Sequence, residues 1–278
     1  MRYVQPSAAK VNLSLRVTGR REDGYHDIVS LFLRLPSAET LLISETEGAD
    51  EVRVSGAEIQ GENIVSRALR AARETGFDIR PLGVEIVKTL YPGSGLGGGS
   101  GNGAALLRWL AGPDDGPEWR AAARKTGADV PFLFSGCPLA LVSGTGDIVE
   151  PLESLAANLL VAFPDWNVNT ENAYEQLDRR GESHRLPDPA ARAEALRLSE
   201  RLRGGEKAGF LPNDFAPFLM EKFPGYARLF DVFDDGGAFA WGITGSGGAA
   251  FALFREFPRA RAFHWPPWVR QILSESVR

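Results

Sequence analysis

Cysteine is nearly absent from this chain of 278 residues, because Cys137 is the only one. A single thiol cannot form an internal disulfide, so the sequence predicts a protein of a reducing compartment. Histidine is also scarce, and His26, His184 and His264 do not have the spacings that zinc sites use. We therefore expect no metal site built from protein ligands.

Long apolar segments and basic runs are missing as well. No stretch approaches the roughly 20 apolar residues that cross a bilayer, and the first residues, MRYVQPSAAK, lack the apolar run of a signal peptide. The formal net charge is -5, without the clustered Lys and Arg that bind nucleic-acid phosphates. We expect a cytoplasmic protein with neither membrane nor nucleic-acid partners.

The composition that remains is typical of a folded globular protein. Hydrophobic residues make up 44% of the chain and charged residues 24%, both near the usual averages. The length favours two domains over one large core. A hairpin is predicted at residues 139–142 and 148–152, turned at a glycine-rich segment. We place the domain boundary just after it, which gives domains of residues 1–154 and 155–278.

Strand and helix patterns occur without a regular β-α-β repeat. Residues 9–17 alternate between apolar and polar, which predicts a half-buried strand with Lys10 and Asn12 on one face. From this strand alone, a solvated outer face is the simpler interpretation of the two polar residues. The remaining predictions are strands at 28–35, 40–44, 84–90, 159–163, 238–243 and 249–254, and helices at 63–75, 104–111, 118–125 and 190–203. The helix at 190–203 is expected on a solvated surface, and the whole pattern predicts an α+β fold.

The strongest local signal is the glycine loop, the segment PGSGLGGGS at residues 92–100, between a predicted strand and a predicted helix. Glycines let the backbone curl so that successive N–H groups point at one anion, and the start of a helix adds its positive dipole end. The segment therefore predicts a phosphate-binding site. It is not a Walker A loop, because no lysine follows the last glycine.

A dinucleotide-binding oxidoreductase is the second interpretation of the same loop. Gly93, Gly95 and Gly98 fit the G-x-G-x-x-G spacing of dinucleotide folds, and Asp114 or Asp115 lies at about the required distance downstream. Such a fold needs repeated β-α-β units, whereas several antiparallel-looking strands precede this loop. The pattern therefore favours a different phosphate-binding fold.

Three separated segments resemble the motifs of the GHMP kinases, which phosphorylate small alcohols with ATP. They are AAKVNL at residues 8–13, the glycine loop, and TGSGGA at residues 244–249. Four further segments resemble the branch that phosphorylates a cytidine-linked alcohol in isoprenoid precursor biosynthesis: REDGYH at 21–26, ENIV at 62–65, GADVPF at 127–132 and PNDF at 212–215. The resemblance implies a two-domain α+β fold, with an N-terminal domain similar to domain 2 of ribosomal protein S5 and a ferredoxin-like C-terminal domain.

The resemblance also implies catalytic and substrate-binding residues. Lys10 and Asp129 would form the catalytic pair: the carboxylate orients or deprotonates the acceptor hydroxyl, and the ammonium offsets charge on the transferred phosphoryl group. Without the family, a helix-capping or loop role is the ordinary interpretation of Asp129. The residues implied to contact the substrate are Asn12, Tyr25, His26, Thr170 and Tyr174. Tyr25 would stack on the cytosine, and His26 would bond to its edge.

ATP, carrying Mg²⁺, is the implied phosphate donor. The residues implied to hold it are Asn63, Pro92, Gly93, Ser94, Gly95, Leu96, Gly97, Gly98, Gly99, Ser100 and Asn102. Gly101 and Gly103 depart from the family pattern, and each costs about 1 kcal/mol relative to alanine in a helix, so we expect a looser helix start. Two alternatives remain open at this point: a GHMP kinase for another alcohol, and a binding module that kept the fold without the chemistry.

Overall fold

The computed structural model describes residues 1–56, 61–91, 93–181, 185–257 and 263–277, so Pro92 and His184 lie outside the described residues. In chain order the elements are β1 (Arg2–Arg20), β2 (His26–Glu45), β3 (Glu51–Ser55), α1 (Ile64–Glu74), β4 (Leu82–Val87), α2 (Gly98–Ala111), α3 (Pro117–Thr126), α4 (Val130–Ser135), β5 (Leu139–Gly144), β6 (Ile148–Pro151), β7 (Ala157–Pro164), α5 (Thr170–Arg179), α6 (Asp188–Arg203), β8 (Gly209–Phe210), α7 (Ala216–Lys222), α8 (Gly225–Asp235), β9 (Ala240–Thr244), β10 (Ala249–Phe254) and β11 (Val269–Val277). None of these described helices is long and apolar enough to cross a membrane.

The first sheet is built on the long hairpin of β1 and β2. The two strands pair antiparallel from Arg2 opposite Ser44 to Arg20 opposite His26, with register shifts that bend the hairpin. The sheet order is β3-β4-β2-β5-β6, with β1 also on β2, and the pairing of β3 with β4 is parallel while the others are antiparallel. The described residues contain no doubly wound parallel sheet, so the dinucleotide-fold interpretation is wrong.

The second sheet has the order β11-β7-β10-β9-β8. The last strand of the first sheet ends at Pro151 and the first strand of the second sheet begins at Ala157. The two halves nevertheless touch through β1, because the Leu15 amide donates to Pro212 and the Leu15 carbonyl accepts from the Asp214 amide. One apolar core also contains residues from both sheets. The boundary after residue 154 stays a prediction.

Helix α6 is solvated on part of its circumference only, so the prediction of a solvated surface helix is wrong for one face. Ala191, Ala195, Leu198 and Leu202 are buried and belong to the core shared by the two halves. They recur at helical spacing and form one apolar stripe, which is how an amphipathic helix packs against a sheet. The many charges of the segment occupy the other faces and conceal this stripe in the sequence.

Helices α1 to α4 cover one face of the first sheet and position the start of α2. The Asn63 side chain accepts a hydrogen bond from the Val65 amide at 2.8 Å and so caps the start of α1. Helix α2 begins at Gly98, six residues before the predicted start. A Cβ on Gly101 would lie 1.8 Å from the Ala8 carbonyl oxygen of β1. Glycine is therefore what lets the helix come this close to the strand.

Candidate active site

One cavity of about 920 Å³ is lined by residues from both halves of the chain. It gathers most of the residues that the sequence analysis singled out. These are Lys10, Asn12, Tyr25, His26, Gly93, Ser94, Gly95, Gly97, Gly98, Gly99, Ser100, Asp129, Thr170 and Tyr174. Segments that are far apart in the sequence thus meet at a single concave site, which is the usual form of a ligand site.

The described part of the glycine loop curves around one end of this cavity. Gly93, Gly95 and Gly97 have φ of 79°, 78° and 66°, the left-handed region that other residues avoid. Gly97 is the N-cap of α2, and no side chain caps that end. The loop therefore presents backbone N–H groups and the positive end of a helix dipole to the cavity, which is how proteins hold phosphate.

A second glycine turn, residues 245–248 between β9 and β10, supports the loop from behind. A Cβ on Gly95 would lie 2.7 Å from the carbonyl oxygens of Thr244 and Gly247, and a Cβ on Gly248 would lie 2.3 Å from the Gly93 carbonyl oxygen. Neither position can carry a side chain without moving the other backbone. The third motif of the resemblance thus holds the shape of the second.

Lys10 lies buried beside the loop, with 7% of its side chain exposed. Its Nζ donates to Asn12 Oδ1 at 2.6 Å and to the Gly95 carbonyl at 3.0 Å. The Asn12 amide group in turn donates to Ser30 Oγ at 2.9 Å, which fixes its orientation. The two polar residues of β1 therefore face a buried site, and the solvated interpretation of that face is wrong.

Asp129 faces Lys10 from the start of α4. Its Oδ2 lies 3.7 Å from Lys10 Nζ, and 27% of its side chain is exposed. Asp129 is the N-cap residue of α4, yet its side chain makes no capping hydrogen bond. The capping role expected of an ordinary aspartate is therefore absent, and the carboxylate stands in the cavity wall next to a cation. A Cβ on Gly97 would lie 2.9 Å from Asp129 Oδ2, so the pair and the loop are in contact.

A buried ion pair stands on the far side of the loop. The Glu39 carboxylate lies 2.8 Å from Lys88 Nζ and accepts from the Leu90 amide at 3.1 Å and from Asn102 Nδ2 at 2.8 Å. A buried carboxylate is tolerated when donors surround it in this way. Glu39 thereby joins β2, the end of β4 and helix α2, and Lys88 contributes to the cavity wall.

The opposite end of the cavity is aromatic. The His26 ring stacks on Tyr174 with centroids 4.5 Å apart, and Tyr174 meets Phe215 edge to face at 4.9 Å. Burial, together with the charge of Asp129, raises the pKa of Tyr174 to about 12, so its phenol stays protonated. Tyr25 is 67% exposed at the mouth of the cavity. Planar groups thus line this end, which suits an aromatic ligand.

Comparisons with known proteins give the family. A family model described as GHMP kinases C terminal matches residues 186–264. A 4-diphosphocytidyl-2-C-methyl-D-erythritol kinase from Porphyromonas gingivalis is 33% identical over 262 residues, which cover 90% of this chain and 92% of that protein. Another from Nitratidesulfovibrio vulgaris is 36% identical over 274 residues, which cover 92% and 91%. The chain belongs to this kinase family.

Solved structures agree with that family. A 4-(cytidine 5'-diphospho)-2C-methyl-D-erythritol kinase aligns with a TM-score of 0.75 at 29% identity, covering 99% of this chain and 98% of that one. A mevalonate kinase from methicillin-resistant Staphylococcus aureus aligns with a TM-score of 0.57 at 16% identity over 99% of each chain, which shows the shared fold alone. The two-domain α+β fold of the GHMP kinases, predicted from the motifs, is confirmed.

Three predicted nucleotide-binding residues of this kinase do not line the cavity. Asn63 caps α1, Leu96 is fully buried, and Asn102 is bonded to Glu39. Pro92 lies outside the described residues. Asn63, Leu96 and Asn102 thus make structural contacts around the glycine loop. Their contact with a nucleotide stays a prediction.

The predicted substrate-binding residues lie together, with one difference in detail. Thr170 Oγ1 is 2.9 Å from Ser246 Oγ, which joins α5 to the second glycine turn. Tyr174 is implied to contact the substrate, but His26 covers one face of its ring. Trp166, four residues before Thr170, packs against Phe223 with ring centroids 5.2 Å apart and does not line this cavity.

Several polar residues of the site were not predicted from the sequence. Lys88 was read as part of a strand, although a lysine between a strand and a glycine loop could have signalled a phosphate site. Glu39 lies in a segment whose pattern gives no sign of burial. Arg20 and Asp178 line the cavity near His26, and only the fold brings them there, since they come from β1 and α5.

Proposed function

We propose that this kinase transfers the terminal phosphoryl group of ATP to the 2-hydroxyl group of 4-diphosphocytidyl-2-C-methyl-D-erythritol, in non-mevalonate isoprenoid precursor biosynthesis in the cytoplasm. The observation that carries the proposal is the Lys10–Asp129 pair, 3.7 Å apart, at the edge of the glycine loop. The scarcity of cysteine supports the reducing compartment.

Lys10 and Asp129 together provide a carboxylate for the acceptor hydroxyl and a positive charge for the transferred phosphoryl group. The hydroxyl oxygen of the alcohol forms a bond to the γ-phosphorus, the bond from that phosphorus to the bridging oxygen of ADP breaks, and Asp129 orients the hydroxyl or takes its proton. Lys10 pairs with the carboxylate and offsets charge on the transferred group. Phosphoryl transfer depends mainly on positioning and charge neutralisation, so these two side chains, Asn12, the loop amides and the Mg²⁺ carried with ATP would form a sufficient set.

The loop fits the phosphates of ATP, with Mg²⁺ as the accompanying ion. Among the described residues, no group of three or more His, Cys, Asp or Glu side chains could hold a metal. The ion would therefore be held chiefly by the nucleotide phosphates, with Asp129 the carboxylate beside them. When bound, Mg²⁺ neutralises phosphate charge.

The aromatic end fits the cytidine of the substrate. Tyr25 offers an exposed ring for stacking, and His26 lies against Tyr174 in the wall of the same cavity. A cavity of about 920 Å³ has room for an extended ligand that reaches from this end to Asp129. Homoserine and mevalonate carry no base, so they would leave the aromatic end unused.

Asp129→Asn tests the proposal in an assay that couples ADP release to a chromophore. The amide cannot accept a proton, and general-base groups contribute about 10²–10⁴-fold, so we expect kcat to fall by at least about 100-fold. Asp231→Asn, on the exposed side of α8, is the matched control and should keep wild-type turnover. Full activity in Asp129→Asn removes Asp129 from the mechanism.

The alcohol is tested with a panel of acceptors. The wild-type protein should consume ATP with diphosphocytidyl methylerythritol and not with homoserine or mevalonate. Tyr25→Ala should raise KM for the cytidine substrate and leave KM for ATP unchanged. Turnover of homoserine or mevalonate in preference to the cytidine compound would assign a different alcohol to this site.

A further inference from the structure

Asp178 near the end of α5 has no part in the phosphoryl transfer, yet it lies in the wall of the same cavity. Its Oδ1 is 2.8 Å from Nε2 of His26. The contact joins the first sheet, which carries His26, to the second half of the chain, which carries α5. The inference below rests on the proposed function, because it concerns how that cavity reads the base of its substrate.

The chemistry of the contact decides which ring nitrogen of His26 carries a proton. Burial acts to raise the pKa of Asp178, but the hydrogen bond from His26 and the charges of Arg185 and Arg20 outweigh it, so the pKa is lowered. An ionised carboxylate can only accept hydrogen bonds. Nε2 must therefore be the donor, and in the neutral ring Nδ1 is left as an acceptor. No hydrogen bond from a described residue occupies Nδ1.

The ring is also held by its face. Tyr174 stacks on it with an interplanar angle of 22°, and Tyr174 and Asp178 are four residues apart on α5. Residues at this spacing lie on one side of a helix. One turn of α5 therefore contacts the face of the imidazole through Tyr174 and its Nε2 edge through Asp178. The His26 side chain is only 8% exposed. A ring held at both places cannot turn over about χ2, which would put a carbon atom where each nitrogen now lies.

Two arginines keep the carboxylate of Asp178 in place. Arg185 donates to the same oxygen that His26 uses, and Arg20 Nε lies 3.6 Å from the other oxygen, Oδ2. Arg20 comes from β1 and Arg185 from the segment before α6, so three parts of the chain fix this one group. Positioning residues around binding groups are typically held in this manner.

We propose that Asp178 is a positioning residue for base recognition: by accepting the Nε2 proton of His26 it keeps Nδ1 as an acceptor, so the site selects a pyrimidine base with an exocyclic N–H donor. Cytosine has such a donor in its amino group, whereas uracil has a carbonyl oxygen at that position. A site built to bond a polar group discriminates strongly against a ligand that lacks the partner.

Binding of CDP and UDP to the full-length protein tests the proposal by calorimetry. The wild type should prefer CDP by at least about tenfold. In Asp178→Asn the amide can either accept from Nε2 or donate to it, so the tautomer is no longer fixed, and we expect the preference to fall to about threefold or less. Asp214→Asn is the matched control, since Asp214 also ties β1 to the second half through Arg16 but does not contact His26. It should lower Tm and keep the preference.

Nitrogen NMR of the imidazoles gives a readout that a merely structural role would not change. The chain has three histidines, so His26→Gln assigns the His26 signals directly. The wild type should show the tautomer protonated at Nε2, and Asp178→Asn should show a mixture. In the kinase assay Asp178→Asn should raise KM for the cytidine substrate about tenfold and change kcat less than threefold.

The outcomes separate the inference from the proposed function. A wild type that binds CDP and UDP equally, or does not bind CDP, contradicts the proposed cytidine substrate. A wild type that prefers CDP, with Asp178→Asn keeping both the preference and the Nε2 tautomer, overturns the role of Asp178 and leaves the function standing. Equal loss of preference in Asp178→Asn and Asp214→Asn would reduce Asp178 to a structural ion pair.

Discussion

We expect Gly97→Ala to displace the Asp129 carboxylate relative to the glycine loop and so to lower kcat. The new Cβ would lie 2.9 Å from Asp129 Oδ2 and 3.3 Å from Lys10 Cε, inside the 3.4 Å at which ordinary contacts begin. The Asp129 carboxylate would have to move by about half an ångström. Since a misplacement of about 1 Å can cost about 100-fold in rate, we expect kcat to fall about tenfold, or about 1.4 kcal/mol of activation free energy.

Gly136→Ala is the matched control for this experiment. Gly97 and Gly136 have similar left-handed backbones, with φ and ψ of 66° and 23° against 73° and 0°. A Cβ on Gly136 would meet nothing within 4 Å. Both variants should lose about 1–2 kcal/mol of unfolding free energy, and only Gly97→Ala should lose turnover in the coupled assay. Unchanged kcat in folded Gly97→Ala, or an equal loss in Gly136→Ala, would refute the reasoning.

Two further predictions concern stability. Gly101→Ala places a Cβ 1.8 Å from the Ala8 carbonyl oxygen, so it should lower the free energy of unfolding in urea by about 3 kcal/mol, whereas Gly99→Ala in the same helix should be neutral or stabilising. The hydrogen bond from Arg73 lowers the pKa of Asp50, so this carboxylate stabilises the fold above its unfolded pKa and loses that effect as pH falls. Asp50→Asn should therefore cost about 1–2 kcal/mol at pH 7, and the difference from wild type should vanish in acid; a constant difference at all pH values would show that ionisation is not involved.

Local patterns predicted the parts of this molecule that depend on neighbours in the sequence. The alternation in residues 9–17 places Lys10 and Asn12 on one face of a strand, and the glycine loop marks the start of a helix. The alternation does not show which face of the strand is buried by the rest of the protein. The burial of Lys10 depends on α2 and α4, which come much later in the chain, so only the family resemblance promoted it to a catalytic role.

The roles that the sequence did not predict also depend on contacts between distant segments. Helix α6 is rich in charge, and its apolar stripe has only two alanines and two leucines, so composition hides the face that packs into the shared core. Glu39 and Asp178 each carry no local sign of function, because their partners lie on other strands and helices. Contacts between residues far apart in the chain determine these roles, and such contacts cannot be predicted from the pattern of a single sequence.

The contact between the glycine loop and the second glycine turn restricts which substitutions this protein can accept during evolution. Neither Gly95 nor Gly248 can acquire a side chain unless the opposing backbone moves away. A substitution in the β9–β10 turn can therefore change the conformation of the glycine loop, although the two segments lie in different halves of the chain. Substitutions that reshape the β9–β10 turn would therefore alter nucleotide affinity without replacing any residue of the glycine loop.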